Sequence, residues 1–437
     1  MTHGRQLTRE IFRDTLAALD IPRVMELKLT LAGSILTLED TAIDLSAYSA
    51  LFVVAIGKAA HAMAAGLRSF LPDRYPFKGV VAAPTKPAAP VSGLAYFVAG
   101  HPNPNEHSCL AAEAILALLR GTNERSVVFF LLSGGGSALT ELPIVPGMCL
   151  EDLQAANHAL VTCGAPIEAM NTVRRHLSAI KGGRLAVAAA RATKLTLAVT
   201  DVPVGKEHAL ASGPTVPDPS TVADTIRIID QYGLRMKFPD VLVRWLDGGK
   251  MPETPKPGEP TFRNAHFQLL LGMHDLFHSA HHASEARGYV TCCDNSTDDW
   301  PVTEAADALL KKLEEWKKEN PGERVALIAD GELSSPVTGN GIGGRNSAFV
   351  LSCVEKIGGR KITVLSAGTD GMDGNSPAAG AVADGETLAR VKALGLDPAK
   401  AFQQSDAYTF FEKLGDAIVT GPTGNNLRDL RILLAEP

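Results

Sequence analysis

A chain of 437 residues is long for one hydrophobic core and predicts two domains. Its hydrophobic content of 45% supports a globular fold, whereas aromatics at 5% leave little surface for stacking bases. A net charge of −6 with no Lys/Arg block argues against nucleic-acid binding by counterion release, while a phosphorylated small molecule would need only a local cluster of cations. The opening stretch MTHGRQLTREIFRDTLAALD is polar and helix-like, without the apolar centre of a signal peptide. No run of about eighteen apolar residues occurs, so the expectation is a soluble cytoplasmic protein with no membrane partner. Six cysteines (Cys109, Cys149, Cys163, Cys292, Cys293 and Cys353) form no CxxC pair and read as small buried hydrophobes in a reducing compartment.

Along the chain, short apolar runs end repeatedly in loops of Gly, Asp, Ser or Thr. LFVVAI (51–56) leads into Gly57-Lys58, VVFFLL (127–132) into SGGGS, and LTLAVT (195–200) into Asp201. VALIA (325–329) leads into Asp330-Gly331-Glu332, ITVLS (362–366) into AGTDG, and AIVT (417–420) into GPTGNN. Non-alternating runs of this length suit parallel strands covered on both faces. Helical stretches between them, 108–119 and 303–318 for example, predict an α/β fold of two mostly parallel sheets with helices on both faces. Ligands in such folds bind at the carboxyl ends of strands, where these polar loops fall. Residues 236–262, dense in Pro, Gly and charge, read as a linker, giving domains 1–240 and 241–437.

Five groups could carry chemistry. The loop of Ser133, Gly134, Gly135, Gly136 and Ser137 suits close backbone approach to an anion. Lys58 opens a helix whose dipole disfavours it, so an anionic ligand would compensate. Asn171–Arg191 carries Arg174, Arg175, Lys181 and Arg184, with Arg174 and Lys181 on one helical face unless Gly182-Gly183 intervenes. Asp201, Asp330, Glu332, Asp370 and Asp373 lie by strand ends, and Mg²⁺ needs only one or two such carboxylates beside phosphate oxygens. Gly339–Gly344 fits GxGxxG, but too far beyond its strand for a dinucleotide fingerprint, and reads rather as a loop presenting Arg345. Neither a Walker motif nor a protein-kinase motif set occurs.

The segments VVAIGKAA, AGHPNPNE, LLSGGGSALTELP, MNTVRRHLSAIKGGRLA, LAVTDVP, ASGPTVPDPST, GGRNSAFVLS, SAGTDGMDG, AAGAVAD, SDAYTFF and TGPTGNNLRDLRILL span nearly the whole chain. Together they resemble the glycerate 2-kinase family, whose C-terminal part is the MOFRL domain. Members are often labelled hydroxypyruvate reductase, from their place in tartrate degradation or glyoxylate metabolism. The resemblance implies that ATP and D-glycerate give 2-phosphoglycerate and ADP with Mg²⁺, in two α/β domains with the active site in the cleft between them. Carried over by motif, it implies Lys58 and Arg345 as the critical cations and 133–137 as a substrate or phosphate loop. Asn171, Arg174 and Lys181 join that loop as candidate substrate or phosphate ligands. Asp201 and Asp370 are candidates for Mg²⁺ or for accepting the hydroxyl proton. The chain departs from the family pattern at 204–208, at Ser347 and at Pro377. A hydroxypyruvate reductase using NAD(P)H and a non-catalytic sensor of a phosphorylated metabolite are the alternatives. The partners expected are glycerate and a nucleotide, and the sequence leaves a homo-oligomer open.

Overall fold

The computed structural model describes residues 2–39, 41–200, 202, 205–425 and 427–437. The chain divides into two units: an inner one, Ile21–Leu271, and a terminal one made of residues up to Asp20 together with Gly272–Pro437.

The inner unit begins with a small antiparallel sheet of β1 (Leu29–Ala32), β2 (Ile35–Leu38) and β3 (Thr41–Asp44). Its main sheet contains β4 (Ala50–Ile56), β5 (Phe77–Ala83), β6 (Leu94–Val98), β7 (Ser126–Ser133), β8 (Thr193–Val199) and β9 (Ala265–Leu271). These run in the order β6-β5-β4-β7-β8-β9, and every pairing is parallel. All residues of β7 and β8 are buried, as strands covered on both faces require. Phe52, Val54 and Phe130 share a core with Ile115 and Leu119 of the helix Glu106–Arg120. Each such side chain contributes roughly 1.5–3 kcal/mol on burial. That helix starts where NPNE indicates: the Asn105 side chain accepts from the Ser108 N–H at 3.0 Å, and Ser108 Oγ accepts from the Asn105 N–H at 3.1 Å.

The linker expected at 236–262 is instead part of this unit. Phe238, Leu242 and Leu246 pack with Val173, Leu177 and Ile229, and the chain then adds β9 beside β8. The division therefore falls after Leu271, not near 240, because the prolines and glycines here make turns within a packed segment.

The terminal unit holds β10 (Val290–Asp294), β11 (Val325–Asp330), β12 (Ile362–Gly368), β13 (Gly380–Asp384), β14 (Ala417–Ile418) and β15 (Asp429–Ala435). Their order is β10-β11-β15-β12-β13-β14. The α/β class and two-part organisation hold, but only β10 and β11 pair in parallel; the other pairings in this sheet are antiparallel. Residues 369–379 leave no room for the crossover helix that a parallel return from β12 needs, and β15 enters between β11 and β12 against both. The first helix, His3–Ala18, is fixed to this sheet through Arg5, whose buried guanidinium lies 2.8 Å from Asp416 and 2.9 Å from Asp384. Among the described residues no helix is long and apolar enough to cross a membrane. The cysteines are less buried than expected: Cys353 is enclosed, but Cys149 and Cys293 are exposed.

Candidate active site

In the inner sheet the chain order reverses between β4 and β7, so the loops leaving these neighbours diverge and open a crevice at their carboxyl ends. Both predicted loops lie there. Gly57 turns the chain at φ +130°, and a Cβ at that position would stand 2.6 Å from the Ser133 carbonyl oxygen. The Lys58 N–H donates to the Gly134 carbonyl, and the Ala59 N–H donates to Ser133 Oγ, each at 3.0 Å. The Lys58 turn and the glycine loop are thereby one piece. Ser133 is fully buried, so its hydroxyl holds this turn and is not a ligand for substrate.

Gly135 (φ +83°) lets the loop press against its neighbours: a Cβ there would meet the His101 ring at 3.0 Å and Lys58 Cγ at 3.4 Å. Gly135 thus lies against both Lys58 and His101. Burial lowers the His101 pKa, and the Lys58 charge lowers it further, so the imidazole is neutral at pH 7. Ser137 Oγ bonds Ser212 Oγ at 2.7 Å. Ala211 and Ser212 hold left-handed backbone at φ 49° and 59°, a conformation costing of order 1–3 kcal/mol per residue.

A cavity of about 550 Å³ opens beside this piece, and Gly135, Ser137, His101, Arg174 and Lys181 line it together. The helix Ile167–Leu177 ends before Lys181, because Ala179 N–H donates to the Leu142 carbonyl and Ile144 N–H to that of Leu177. Arg174 and Lys181 therefore do not share a helical face, and the cavity wall is what unites them. Arg174 donates to Asn157 at 2.9 and 3.1 Å and to Asn171 at 3.3 Å. Asn171 positions Arg174 and is not among the lining residues. Arg175 and Arg184 are structural: Arg175 pairs with buried Asp218 at 3.0 Å, and Arg184 donates to the Arg175 carbonyl at 2.6 Å.

Lys181 is not a spare cation for a ligand. It is enclosed and in contact with the Glu141 carboxylate, which also accepts from Ser178 at 2.6 Å. Burial pushes the Lys181 ammonium down to about 7, and the nearby Cys109 opposes that shift. Removing one member of such a pair strands the other. Lys181→Met is expected to cost about 3–5 kcal/mol of unfolding free energy, with much of it restored in the Glu141→Gln/Lys181→Met double variant. Urea titration checks this, and a loss below about 1 kcal/mol, typical of an exposed pair, would contradict it.

In the terminal unit Arg345 begins the helix Arg345–Val354. Its guanidinium bonds Asp429 at 2.5 Å and Glu332 at 2.9 Å. Burial opposes its charge, but these two carboxylates outweigh burial and raise its pKa. Asp373 caps the same helix, accepting from the N–H groups of Asn346 at 2.9 Å and Ser347 at 2.8 Å and from Ser347 Oγ at 2.6 Å. The departure at Ser347 is thus part of the cap. It also settles the glycine motif before Arg345: the helix N-terminus that would hold a pyrophosphate is already filled by a carboxylate. Asp370, half-buried, accepts from the Met372 N–H at 3.0 Å. Asp370 and Asp429 both border Gly368, with Oδ1 atoms 3.1 and 3.4 Å from where its Cβ would be. Asp201 lies outside the described residues, and among those described no group of three or more His, Cys, Asp or Glu side chains could hold a metal.

Sequence reasoning missed His101, Glu141 and Asp429. All three sit inside segments quoted for the resemblance, yet nothing local distinguishes them; only the third dimension brings them to Lys58, Lys181 and Arg345.

Comparison with known proteins agrees with this architecture. Residues 7–247 match the family described as domain of unknown function DUF4147, and residues 325–429 match the MOFRL family. A D-glycerate 2-kinase of Thermotoga maritima is 36% identical over 87% of this chain and 89% of its own. A putative hydroxypyruvate reductase of Agrobacterium vitis is 38% identical over 87% of this chain and 86% of its own. The crystal structure of glycerate kinase from Thermotoga maritima superposes with a TM-score of 0.84 at 34% identity, covering 99% of each chain. With both family models in sequence and relatives of this identity along most of its length, the chain belongs to the glycerate 2-kinase family, in which a DUF4147 domain precedes a MOFRL domain.

Proposed function

We propose that this protein transfers the terminal phosphoryl group of ATP to the 2-hydroxyl of D-glycerate, giving 2-phosphoglycerate and ADP. The observation that carries the reading is the joined Lys58 turn and glycine loop at the crevice of an all-parallel sheet, a cation and a backbone cradle in contact. The relatives named as glycerate kinases support the choice of acceptor.

Phosphoryl transfer has a loose transition state, so positioning and charge stabilisation supply most of the catalysis. Lys58 and Arg345 answer charge on the transferring group or on the glycerate carboxylate. Backbone N–H groups of Gly134, Gly135 and Gly136 face an anionic group. Mg²⁺, when bound, would neutralise phosphate charge; a single carboxylate, Asp201 or Asp370, suffices for an ion that takes its other ligands from phosphate and water. The hydroxyl proton passes to Asp370, Asp201 or the neutral His101 imidazole. The setting is the cytoplasm, in glyoxylate metabolism and tartrate degradation, with small molecules as the partners.

The reductase reading draws on relatives bearing that name. The capped helix after the glycine motif speaks against it, since Asp373 stands where a dinucleotide pyrophosphate would. Purified protein is expected to release ADP from ATP and Mg²⁺ only when D-glycerate is present, to lose this with EDTA, and to leave NADH and NADPH unoxidised with hydroxypyruvate. Cofactor oxidation without ADP release would sink the proposal.

A further inference from the structure

The cavity beside the glycine loop is too large for the proposed acceptor. Glycerate is a three-carbon acid, whereas cavities of about 300–1,000 Å³ take ligands of drug size, and this one holds about 550 Å³. Its walls are of two kinds. Gly135, Ser137 and Arg174 are groups suited to an anion. Met148, Leu153, Ala156, Leu160, Val161 and Leu177 supply apolar surface. Four of these six, Leu153 to Val161, belong to the single helix Leu150–Val161, which presents one face to the space. A ligand matching both kinds of wall has an anionic part and an apolar part.

Charge placement narrows the choice. Lys181 is already answered by Glu141, and Arg174 is steered by Asn157 and Asn171. A nucleoside triphosphate with its phosphates at Gly135, Ser137 and Arg174 would bring them to the crevice where β4 and β7 diverge. We infer that this cavity of the inner unit is the nucleotide subsite, with the purine against the helix Leu150–Val161 and the phosphates at Gly135–Ser137. The inference rests on the kinase reading and adds to it the location of the donor.

Two readouts test it on the full-length protein, one of them independent of turnover. Photolabelling with 8-azido-ATP should modify the peptide containing residues 148–162. Val161→Trp, at a side chain 57% exposed at the cavity wall, should raise the KM for ATP about tenfold with kcat and the KM for glycerate unchanged, the pattern of lost ground-state binding. Ala156→Trp, deeper in the wall, should raise it further; should that variant not fold, Val161→Trp and the label still decide. Label confined to another segment, or a rise in the KM for glycerate in place of that for ATP, would overturn the assignment. If no glycerate-dependent ADP release occurs while the label still maps to 148–162, the acceptor is wrong and the nucleotide subsite stands.

Discussion

Lys58→Met is expected to lower kcat/KM for the glycerate-dependent reaction by roughly 10²–10³-fold, about 3–4 kcal/mol, the usual effect of removing one preorganised group that answers transition-state charge. Stability should change by less than about 1 kcal/mol, because Lys58 is only half-buried and the turn around it is held by backbone bonds to Gly134 and Ser133. A second readout separates charge from shape. His101 is held below its ordinary pKa first by burial and then by the Lys58 charge. The variant should therefore titrate His101 at a higher pH than the wild type by NMR, still below that of a free imidazole. An unmoved His101 together with near-normal turnover would remove Lys58 from the site.

Arg345 should behave differently, because its charge is spent twice. Arg345→Lys keeps a cation but loses the fork that spans Asp429 and Glu332. It is expected to lose roughly 10²-fold in kcat with little change in unfolding. Arg345→Ala should lose at least as much activity and also stability, since the Asp429 side chain, 4% exposed, is left without its guanidinium. Such a stranded buried carboxylate costs about 3–5 kcal/mol. Thermal unfolding of the two variants checks this, and equal stability of both would contradict it.

Some of this was legible in the sequence. The inner sheet was, because strands buried on both faces write continuous apolar runs, and LFVVAI and VVFFLL became its two central strands. Its outer strands were harder: β6, with Tyr96 and neighbouring half-buried positions, has no such run. The terminal sheet was misread as mostly parallel because an apolar run does not record direction; loop length does, and 369–379 is short. The boundary near 240 failed because Pro and Gly mark turns whether or not a segment is packed, and Phe238 and Leu242 are core residues. At the site, Lys58 and Gly134–Ser137 were legible as strand-end loops, and the structure joins them. Lys181 was assigned to substrate from its spacing to Arg174, and no local signal in the sequence reveals that Glu141, forty residues earlier, pairs with it.

The central claim is phosphoryl transfer to one hydroxyl of glycerate, and the most direct measurement is ³¹P NMR of the wild-type protein with ATP, Mg²⁺ and D-glycerate. The account predicts a phosphomonoester signal, growing with ADP and split by a single proton, as the ester at carbon 2 requires. A signal split by two protons would place the phosphate on the terminal hydroxyl, and no phosphomonoester beyond the nucleotides and inorganic phosphate would contradict the account.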